Sequence, residues 1–280
     1  MDNNPLKQYF RRPALYMKLP SNGKGYPEGS LEVSNTGELA VYPMTAIDEI
    51  TVKTPDALFN GNAVYELIKS CIPGIKNPWK IQVTDLDACL VAIKAASGDG
   101  EMELTSVCPN CDESNVYGVN LSVLLQGLKA ANFDNTLDIH DLKIKFRSLT
   151  FAETNDNNMK QFEIQKKLTS ISEITNEDDR NTKTALLVEE INELTMRILS
   201  STIEYIDTPT GPVSEQEFIK DFLINCDKKT FNKIRDTNAL IREASQIKPL
   251  DITCTSCGHV YKQSLDRKST RLNSSHVKRS

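Results

Sequence analysis

Hydrophobic and polar positions follow two different periods along the chain, and these periods predict which segments are strands and which are helices. In the first fifty residues, short extended runs at Ala14 to Leu19 and Glu38 to Tyr42 are separated by turns rich in proline and glycine. Thr45 and Thr54 each precede residues typical of a first helical turn. The pattern predicts a small β segment that leads into short helices.

Two helices and a hairpin are predicted next. Apolar residues recur at helical spacing between positions 64 and 71, and a second helix, capped by Thr84, spans about Asp85 to Ser97. From Glu101 the period becomes two, and a returning strand covers Val116 to Leu121. A pair of cysteines lies between these two strands. The segment is therefore predicted to form a strand, a tight turn and a second strand.

The chain then changes character. Two further strands are predicted at Leu137 to His140 and Leu142 to Phe146, and the segment from Phe151 to about Ser245 has helical periods throughout. A capping-box pattern of Ser214 and Glu217 marks the start of one of its four helices. Near the C-terminus the strand period returns around a second pair of cysteines.

These elements predict an α+β fold with a β-rich N-terminal half, short helices and an inserted helical lobe. The predicted divisions are a β-rich domain at residues 1–150, a helical lobe at 151–248, the strands of the second cysteine pair at 249–265 and a tail at 266–280. The tail is rich in Ser, Asn, Arg and Lys, so we expect it to be unfolded. Its stretch Ser269 to His276 also resembles translated sequencing-adapter sequence, which would make the tail an artefact.

Composition is that of a folded protein of 280 residues, with 39% hydrophobic and 25% charged residues. The sequence has no apolar run of the roughly 18 residues that a membrane helix needs, and its N-terminus lacks a signal-peptide pattern. We therefore expect a cytoplasmic protein without a membrane span. The formal net charge of −5 becomes −10 without the five basic residues at 267–280. Such an acidic body does not favour nucleic acid as a partner.

Four of the seven cysteines form two pairs with the same spacing. Cys108 and Cys111 are separated by Pro-Asn, and Cys254 and Cys257 by Thr-Ser. Each pair lies at the tip of a predicted hairpin, and we call these two tips the first and the second knuckle. A turn with two intervening residues aims both sulfurs at one point, and two such turns complete a tetrahedron around an ion. The four cysteines are therefore predicted to bind one structural zinc ion, with no ligand position left open for catalysis.

The separation of the two pairs is unusual, because 142 residues lie between Cys111 and Cys254, where a compact zinc ribbon has about 15 to 20. Lengthening the loop from about 18 to about 142 residues costs on the order of 2 kcal/mol of closure entropy. Structural zinc contributes about 10 to 16 kcal/mol. Metal binding outweighs the longer loop, so the sequence predicts a split zinc ribbon with the helical segment inserted into it.

The cysteines have alternative interpretations. A redox pair starts a helix in a βαβ setting, which neither pair does, and a disulfide framework does not suit a cytosolic chain. Two separate sites, each completed by another subunit, are one alternative, and His259 in place of one cysteine is another. The other cysteines, Cys71, Cys89 and Cys226, lie on or beside apolar helix faces and are predicted to be core residues.

No catalytic residues are predicted. The glycine-rich turn Pro20 to Gly25 lacks the frame of a phosphate-binding loop, and Asp85 and Asp87 open a helix, where acids favour the helix dipole. Trp79 is interpreted as a core anchor under a loop, with an interface role as the alternative. We expect a protein that is not an enzyme.

Four motifs follow one another in a characteristic order. They are YMKLPSNG at Tyr16 to Gly23, VYPMTAIDEI at Val41 to Ile50, TPDALFNG at Thr54 to Gly61, and the Cys108 pair. Together they resemble the baseplate hub assembly proteins of T4-like contractile-tailed bacteriophages, most specifically in the run from Met44 to Gly61. The resemblance is close over about residues 14–122, looser through the strand at 143–150 and the helical region, and absent from the tail.

The resemblance implies a non-enzymatic viral protein, made late in infection, that assists assembly of the central hub of the tail baseplate or forms part of it. Its partners would be baseplate hub proteins, met in the host cytoplasm during assembly and, if the protein is retained, in the virion. The segment Ile144 to Thr150 is also similar to tail assembly chaperones, which are not retained. A zinc ribbon that binds nucleic acid is a further alternative, although Asp112 and Glu113 make the first knuckle acidic.

Overall fold

The computed structural model describes residues 4–54, 61–98, 100–129, 131–245 and 248–263. Within these residues the chain forms eight α-helices and ten β-strands, which confirms the predicted α+β class. The predicted tail at 266–280 and the helix start predicted after Thr54 lie outside the described residues.

The helices and strands alternate irregularly along the chain. The helices are α1 Ala46–Lys53, α2 Asn62–Cys71, α3 Val83–Ala96, α4 Leu121–Gly127, α5 Phe151–Ser172, α6 Glu177–Ser201, α7 Gln216–Asn225 and α8 Lys228–Ala244. The strands are β1 Leu15–Met17, β2 Leu39–Val41, β3 Glu101–Val107, β4 Ser114–Asn120, β5 Thr136–Ile139, β6 Leu142–Phe146, β7 Ile203–Thr208, β8 Gly211–Val213, β9 Leu250–Thr253 and β10 Val260–Gln263. Two short 3-10 helices occupy Pro5–Tyr9 and Pro78–Lys80.

The chain divides into two compact units. Unit 1 takes its described residues from Met1–Pro78, Thr84–Ala130 and Gln246–Ser280, and unit 2 from Trp79–Val83 and Ala131–Ser245. Most of unit 2 is therefore inserted in the sequence between the two cysteine pairs, both of which belong to unit 1. These units follow from contacts, whereas the division at residues 150, 248 and 265 follows from the sequence pattern and stays a prediction.

Unit 1 contains three two-stranded antiparallel sheets, formed by β1 with β2, β3 with β4, and β9 with β10. Helix α3 packs against the β3–β4 hairpin. One apolar cluster joins them, and it consists of Val91, Met102, Leu104, Val119, Leu121 and Leu124, with Leu250 of β9 packed against it. Because residues on one face of β3 alternate as Met102, Leu104 and Ser106, the apolar end of the hairpin rests on α3 and the polar end reaches the first knuckle.

Helix α1 turns a polar face inward. Its buried residues are Asp48 and Val52, whereas Ile47 and Ile50 are 75% and 67% exposed. The hydrophobic effect alone would favour the opposite orientation, with the two isoleucines inside. The hydrogen bonds of Asp48 account for the observed one.

Asp48 is the centre of a polar network in unit 1. It completes a capping box with Thr45, since the Thr45 hydroxyl accepts from the Asp48 amide and the Asp48 carboxylate accepts from the Thr45 amide at 2.7 Å. The carboxylate also accepts from Arg11 Nη1 at 3.2 Å and Ser70 Oγ at 3.1 Å. Burial raises the pKa of Asp48, but the bonds from Thr45, Ser70 and Arg11 outweigh it and the pKa is lowered. The network ties the N-terminal segment to α1 and α2.

A second buried carboxylate holds the glycine-rich turn. Asp85 is fully buried in the first turn of α3, and it accepts from the Ser21 amide at 2.9 Å, from Ser21 Oγ at 2.5 Å and from the Tyr26 hydroxyl at 2.8 Å. Burial is the largest influence on this group and raises its pKa. From the sequence, the position of Asp85 at the start of α3 is explained by the helix dipole alone. In the structure, Asp85 also anchors a turn 64 residues away.

Unit 2 is built on a four-stranded antiparallel sheet of order β5-β6-β7-β8. Its core combines the sheet with α7, α8 and the end of α6. The core residues are Ile139, Ile144, Phe146, Leu199, Ile203, Ile206, Ile219, Leu223 and Ile234. The prediction that the segment from 151 to 245 is entirely helical is wrong at Ile203–Val213, where β7 pairs with β6 on one side and with β8 on the other. Trp79 stacks on Phe151 at a centroid distance of 4.8 Å, in agreement with its interpretation as an anchor.

Helices α5 and α6 follow β6 and precede β7 in the sequence, and they pack against each other. The capping box of Thr150 and Glu153 starts α5, and Leu187 and Leu194 of α6 are buried. Phe162 and Leu168 of α5 remain 40% and 50% exposed. Two smaller predictions are wrong. The N-cap of α7 is Glu215, which makes no side-chain capping bond, in place of Ser214, and α3 begins before Thr84.

Replacing Asp48 by Ala is expected to lower the free energy of unfolding by about 3 kcal/mol, because it removes the cap of α1 and leaves Arg11 without its carboxylate. Since the folded pKa of Asp48 is lowered, this contribution is present above the unfolded pKa near 4 and is lost as pH falls through the folded value. Urea unfolding at pH 7 and at pH 3 should show a difference between wild type and Asp48→Ala that shrinks at the lower pH.

Glu49→Ala is the matched control for Asp48→Ala. Glu49 is the next residue of α1, is exposed and faces Lys53 at 3.8 Å. An exposed pair of this kind contributes less than about 0.5 kcal/mol. Equal losses in the two variants, or a difference independent of pH, would contradict the structural role of Asp48.

Candidate metal centre

Two hairpins of the same design carry the four cysteines. Pairing of β3 with β4 ends at Val107 and Ser114, and pairing of β9 with β10 ends at Thr253 and Val260, so each hairpin leaves a six-residue knuckle, residues 108–113 and 254–259. In both knuckles the amide of the first cysteine donates to the carbonyl of the sixth residue at 2.9 Å. The amide of the fifth residue donates to the carbonyl of the first cysteine at 2.9 Å or 3.0 Å.

The fifth residue of each knuckle has a positive φ. It is Asp112 with φ 56° in the first knuckle and Gly258 with φ 71° in the second. This left-handed conformation reverses the chain directly after the second cysteine, so that the sulfurs of both cysteines stay on the same side of the turn. Glycine adopts it without strain, and aspartate tolerates it better than most residues do.

The structure brings the four predicted cysteines to one point. Cys108 Sγ lies 3.7 Å from Cys257 Sγ, and Cys111 Sγ lies 3.6 Å from Cys254 Sγ. All four sulfurs lie within 4.8 Å of one another. Four sulfurs at about 2.3 Å from a central ion in a tetrahedron would be about 3.8 Å apart. The donor set and its spacing therefore suit a tetrahedral metal ion of the zinc type, with two ligands from each hairpin.

Burial differs within each pair. Cys108 and Cys254 are buried, and Cys111 and Cys257 are exposed. The amide of Asn110 lies 3.4 Å from Cys108 Sγ, and the Asn110 side chain donates to Cys257 Sγ at 3.6 Å. Bonds of this kind to the sulfurs orient metal ligands and stabilise the thiolate form.

Backbone amides shift the pKa values of the second pair. The amide of Cys257 lowers the pKa of Cys254 to about 6, and the amide of His259 lowers the pKa of Cys257. For Cys111 the amide of Glu113 acts in the same direction, but the neighbouring cysteines raise its pKa to about 12. Four sulfurs this close cannot all lose their protons unless a cation balances the charge. A divalent ion would supply that charge.

Polar contacts between the two hairpins were not evident from the sequence. The Tyr117 hydroxyl donates to the Thr253 carbonyl at 3.0 Å. Ser106 Oγ donates to Gln263 Oε1 at 2.6 Å and accepts from the Tyr261 hydroxyl at 3.0 Å. Tyr and Gln on short exposed strands gave no signal for these contacts, because the partners lie about 140 to 160 residues away in the sequence and only the fold brings them together.

The remaining predicted candidates lie outside the cluster. His259 is exposed, and it contributes its carbonyl to the knuckle, with its ring 6.1 Å from that of Tyr261. Cys71 and Cys89 are fully buried, and burial raises the pKa of Cys71 to about 11 and also raises that of Cys89. Cys226 is half-buried. The prediction that Cys71 and Cys89 are core residues is therefore confirmed.

Gly258→Ala is expected to lower the free energy of unfolding by about 1 to 2 kcal/mol, because an L-residue is strained in the left-handed conformation. A Cβ at Gly258 would meet no atom within 4 Å, so the loss reports the backbone alone. The control is Gly127→Ala at the end of α4, which has equally open space and no positive φ. Thermal unfolding should separate the two variants, and equal midpoints would contradict the proposed role of the fifth knuckle position.

No described helix is long and apolar enough to cross a membrane.

Comparison with known proteins places the chain in a family. Searches of curated proteins and of solved structures gave no match. The model of one family, described as T4 bacteriophage base plate protein, matches residues 16–269, a span that contains both knuckles, all of unit 2 and most of unit 1. The chain belongs to the T4 bacteriophage base plate protein family.

Proposed function

We propose that this protein is not an enzyme and that it assists the assembly of the central hub of the tail baseplate or forms part of it. The observation that carries the proposal is the family match over residues 16–269, which relates the chain to the phage baseplate. The motif order from Tyr16 to Gly61 supports the narrower assignment to the hub, because it resembles hub assembly proteins. Its partners would then be other hub proteins, first in the host cytoplasm and, if it is retained, in the virion.

In this proposal the four cysteines bind one structural zinc ion. Cys108, Cys111, Cys254 and Cys257 supply four sulfur ligands, a set that zinc prefers when its role is structural. When bound, the ion would supply folding free energy by linking the two hairpins. Four protein ligands leave no position for substrate or water, so the residues hold unit 1 together and do not activate a reactant.

The exposed helices α5 and α6 support a role in contacts with proteins. Leu186, Val188 and Ile191 of α6 are between 40% and 57% exposed. The same helix carries six acidic and three basic residues. Apolar side chains surrounded by charge are typical of surfaces that bind protein partners. A nucleic-acid-binding zinc ribbon is less well supported, because the spacer residues of both knuckles are uncharged and Asp112 and Glu113 are acidic.

Cys108→Ser is expected to reduce the bound zinc from one ion per chain to well below one and to cause aggregation or loss of unit 1 structure, because removing a ligand removes folding free energy. Elemental analysis and solubility of the purified protein provide the measurement. Cys226→Ser is the control, since Cys226 is half-buried and lies outside the cluster. Zinc-free wild-type protein, or equal solubility and thermal stability in both variants and wild type, would contradict the zinc assignment.

Tagged protein purified from infected cells is expected to bring down baseplate hub proteins, identified by mass spectrometry. The same analysis of mature virions separates the two forms of the proposal, because a hub component remains in the particle and an assembly chaperone does not. Retention on DNA at moderate salt without any hub protein would instead favour the nucleic-acid alternative.

A further inference from the structure

Asn115 lies at the point where the two hairpins meet. It is the second residue of β4, directly opposite Ser106 of β3, and only 4% of it is exposed. A buried amide is costly unless its donors and acceptor are bonded. The buried side chain of Asn115 therefore needs hydrogen-bond partners from the surrounding fold.

Its side chain is bonded at both ends, and most of the bonds cross to the other hairpin. The Asn115 Nδ2 group donates to the Glu113 carbonyl at 3.1 Å and to Cys254 Sγ at 3.5 Å. The Oδ1 atom accepts from the Thr255 amide at 3.1 Å and from the Thr255 hydroxyl. Two amide protons and two lone pairs are the full capacity of this side chain. Asn115 thus binds its own knuckle, the backbone of the second knuckle and one of the four sulfurs.

The contacts with Thr255 involve neither a sulfur nor a metal ion. They can therefore form before any ion is bound and can hold Cys254 near the first knuckle. They act together with the bonds of Tyr117 to Thr253 and of Ser106 to Gln263, so that metal binding alone does not have to bring together groups separated by 142 residues. A site that is already assembled binds its ligand more tightly, because less ordering takes place in the binding step.

We propose that Asn115 is a positioning residue that docks the second knuckle on the first in the metal-free protein and so prepares the four-cysteine site for its ion. The inference rests on the proposed zinc site and adds an order of events, in which the hairpins dock first and the metal binds second. It also assigns the orientation of Cys254 to Asn115.

Asn115→Asp is the sharpest variant, because it keeps the size and the acceptors of the side chain. It removes the donors to the Glu113 carbonyl and to Cys254 Sγ, and it places a negative charge beside a thiolate. Asn110→Asp is the matched control, since Asn110 makes the same kind of contact with Cys257 Sγ from an exposed position. Asn115→Ser removes the contacts without adding charge and separates loss of docking from repulsion.

Chelator competition with zinc, repeated with cobalt to record thiolate absorption, measures affinity and ligand geometry. We expect Asn115→Asp to weaken zinc binding about 10- to 100-fold, Asn115→Ser to weaken it less, and Asn110→Asp to change it less than about 3-fold. At saturating cobalt the spectra should coincide, because the four ligands are unchanged. Equal effects at positions 110 and 115 would overturn the inference.

Hydrogen exchange of the metal-free proteins tests the order of events directly. Amides of β9 and β10 should be protected in wild type and in Asn110→Asp and unprotected in Asn115→Ser, which removes the bonds from Thr255, while β6 and β7 stay protected in all three and show that the chain is folded. Unprotected β9 and β10 in metal-free wild type would overturn the inference. If wild type binds no zinc, the zinc proposal fails, and the exchange comparison still decides the role of Asn115.

Discussion

Unit 1 is complete only when residues near position 110 and residues near position 255 meet, although most of unit 2 lies between them in the sequence. Strands β9 and β10 have four residues each, and a hairpin of that size is marginal by itself in water. It is ordered here by contacts with the first hairpin. Leu250 extends the apolar cluster of α3, and Cys254 and Cys257 join the other two sulfurs. The meeting of the two cysteine pairs is the constraint on which the C-terminal part of unit 1 depends.

Buried polar side chains also join segments of unit 1 that are far apart in the sequence. Asp48 joins α1 to an arginine 37 residues earlier, Asp85 holds a turn 64 residues away, and Asn115 bonds a backbone amide 140 residues away. Because a buried carboxylate or amide needs all of its partners, each contact specifies one arrangement and disfavours others. The exposed isoleucines of α1 show that such a network can outweigh hydrophobic burial.

Local chemistry explains what could be predicted from the sequence. The two Cys-x-x-Cys motifs identify which four residues come together, because the geometry that aims the sulfurs is contained within each turn. Helical periods likewise predict α5, α6 and α8. The hairpin of β7 and β8 could not be predicted in this way, since β7 is decided by its pairing with β6, in which Ile206 lies opposite Ile144. The contacts of Asn115 could not be predicted, because the cysteine motifs indicate that the two knuckles meet but not which other side chains bond between them.

Because most of unit 2 lies between the two cysteine pairs in the sequence, the pairs are synthesised at different times. Ribosomes add about 5 to 20 residues per second, so the second knuckle follows the first by roughly 7 to 30 seconds. Helix–helix and hairpin contacts form in microseconds to seconds, so unit 2 has time to fold during that interval. The first pair of cysteines can offer only two of four ligands until Cys254 and Cys257 have been made. Closure of unit 1 therefore waits for residues that are synthesised after unit 2, and any surface that depends on it becomes available only then.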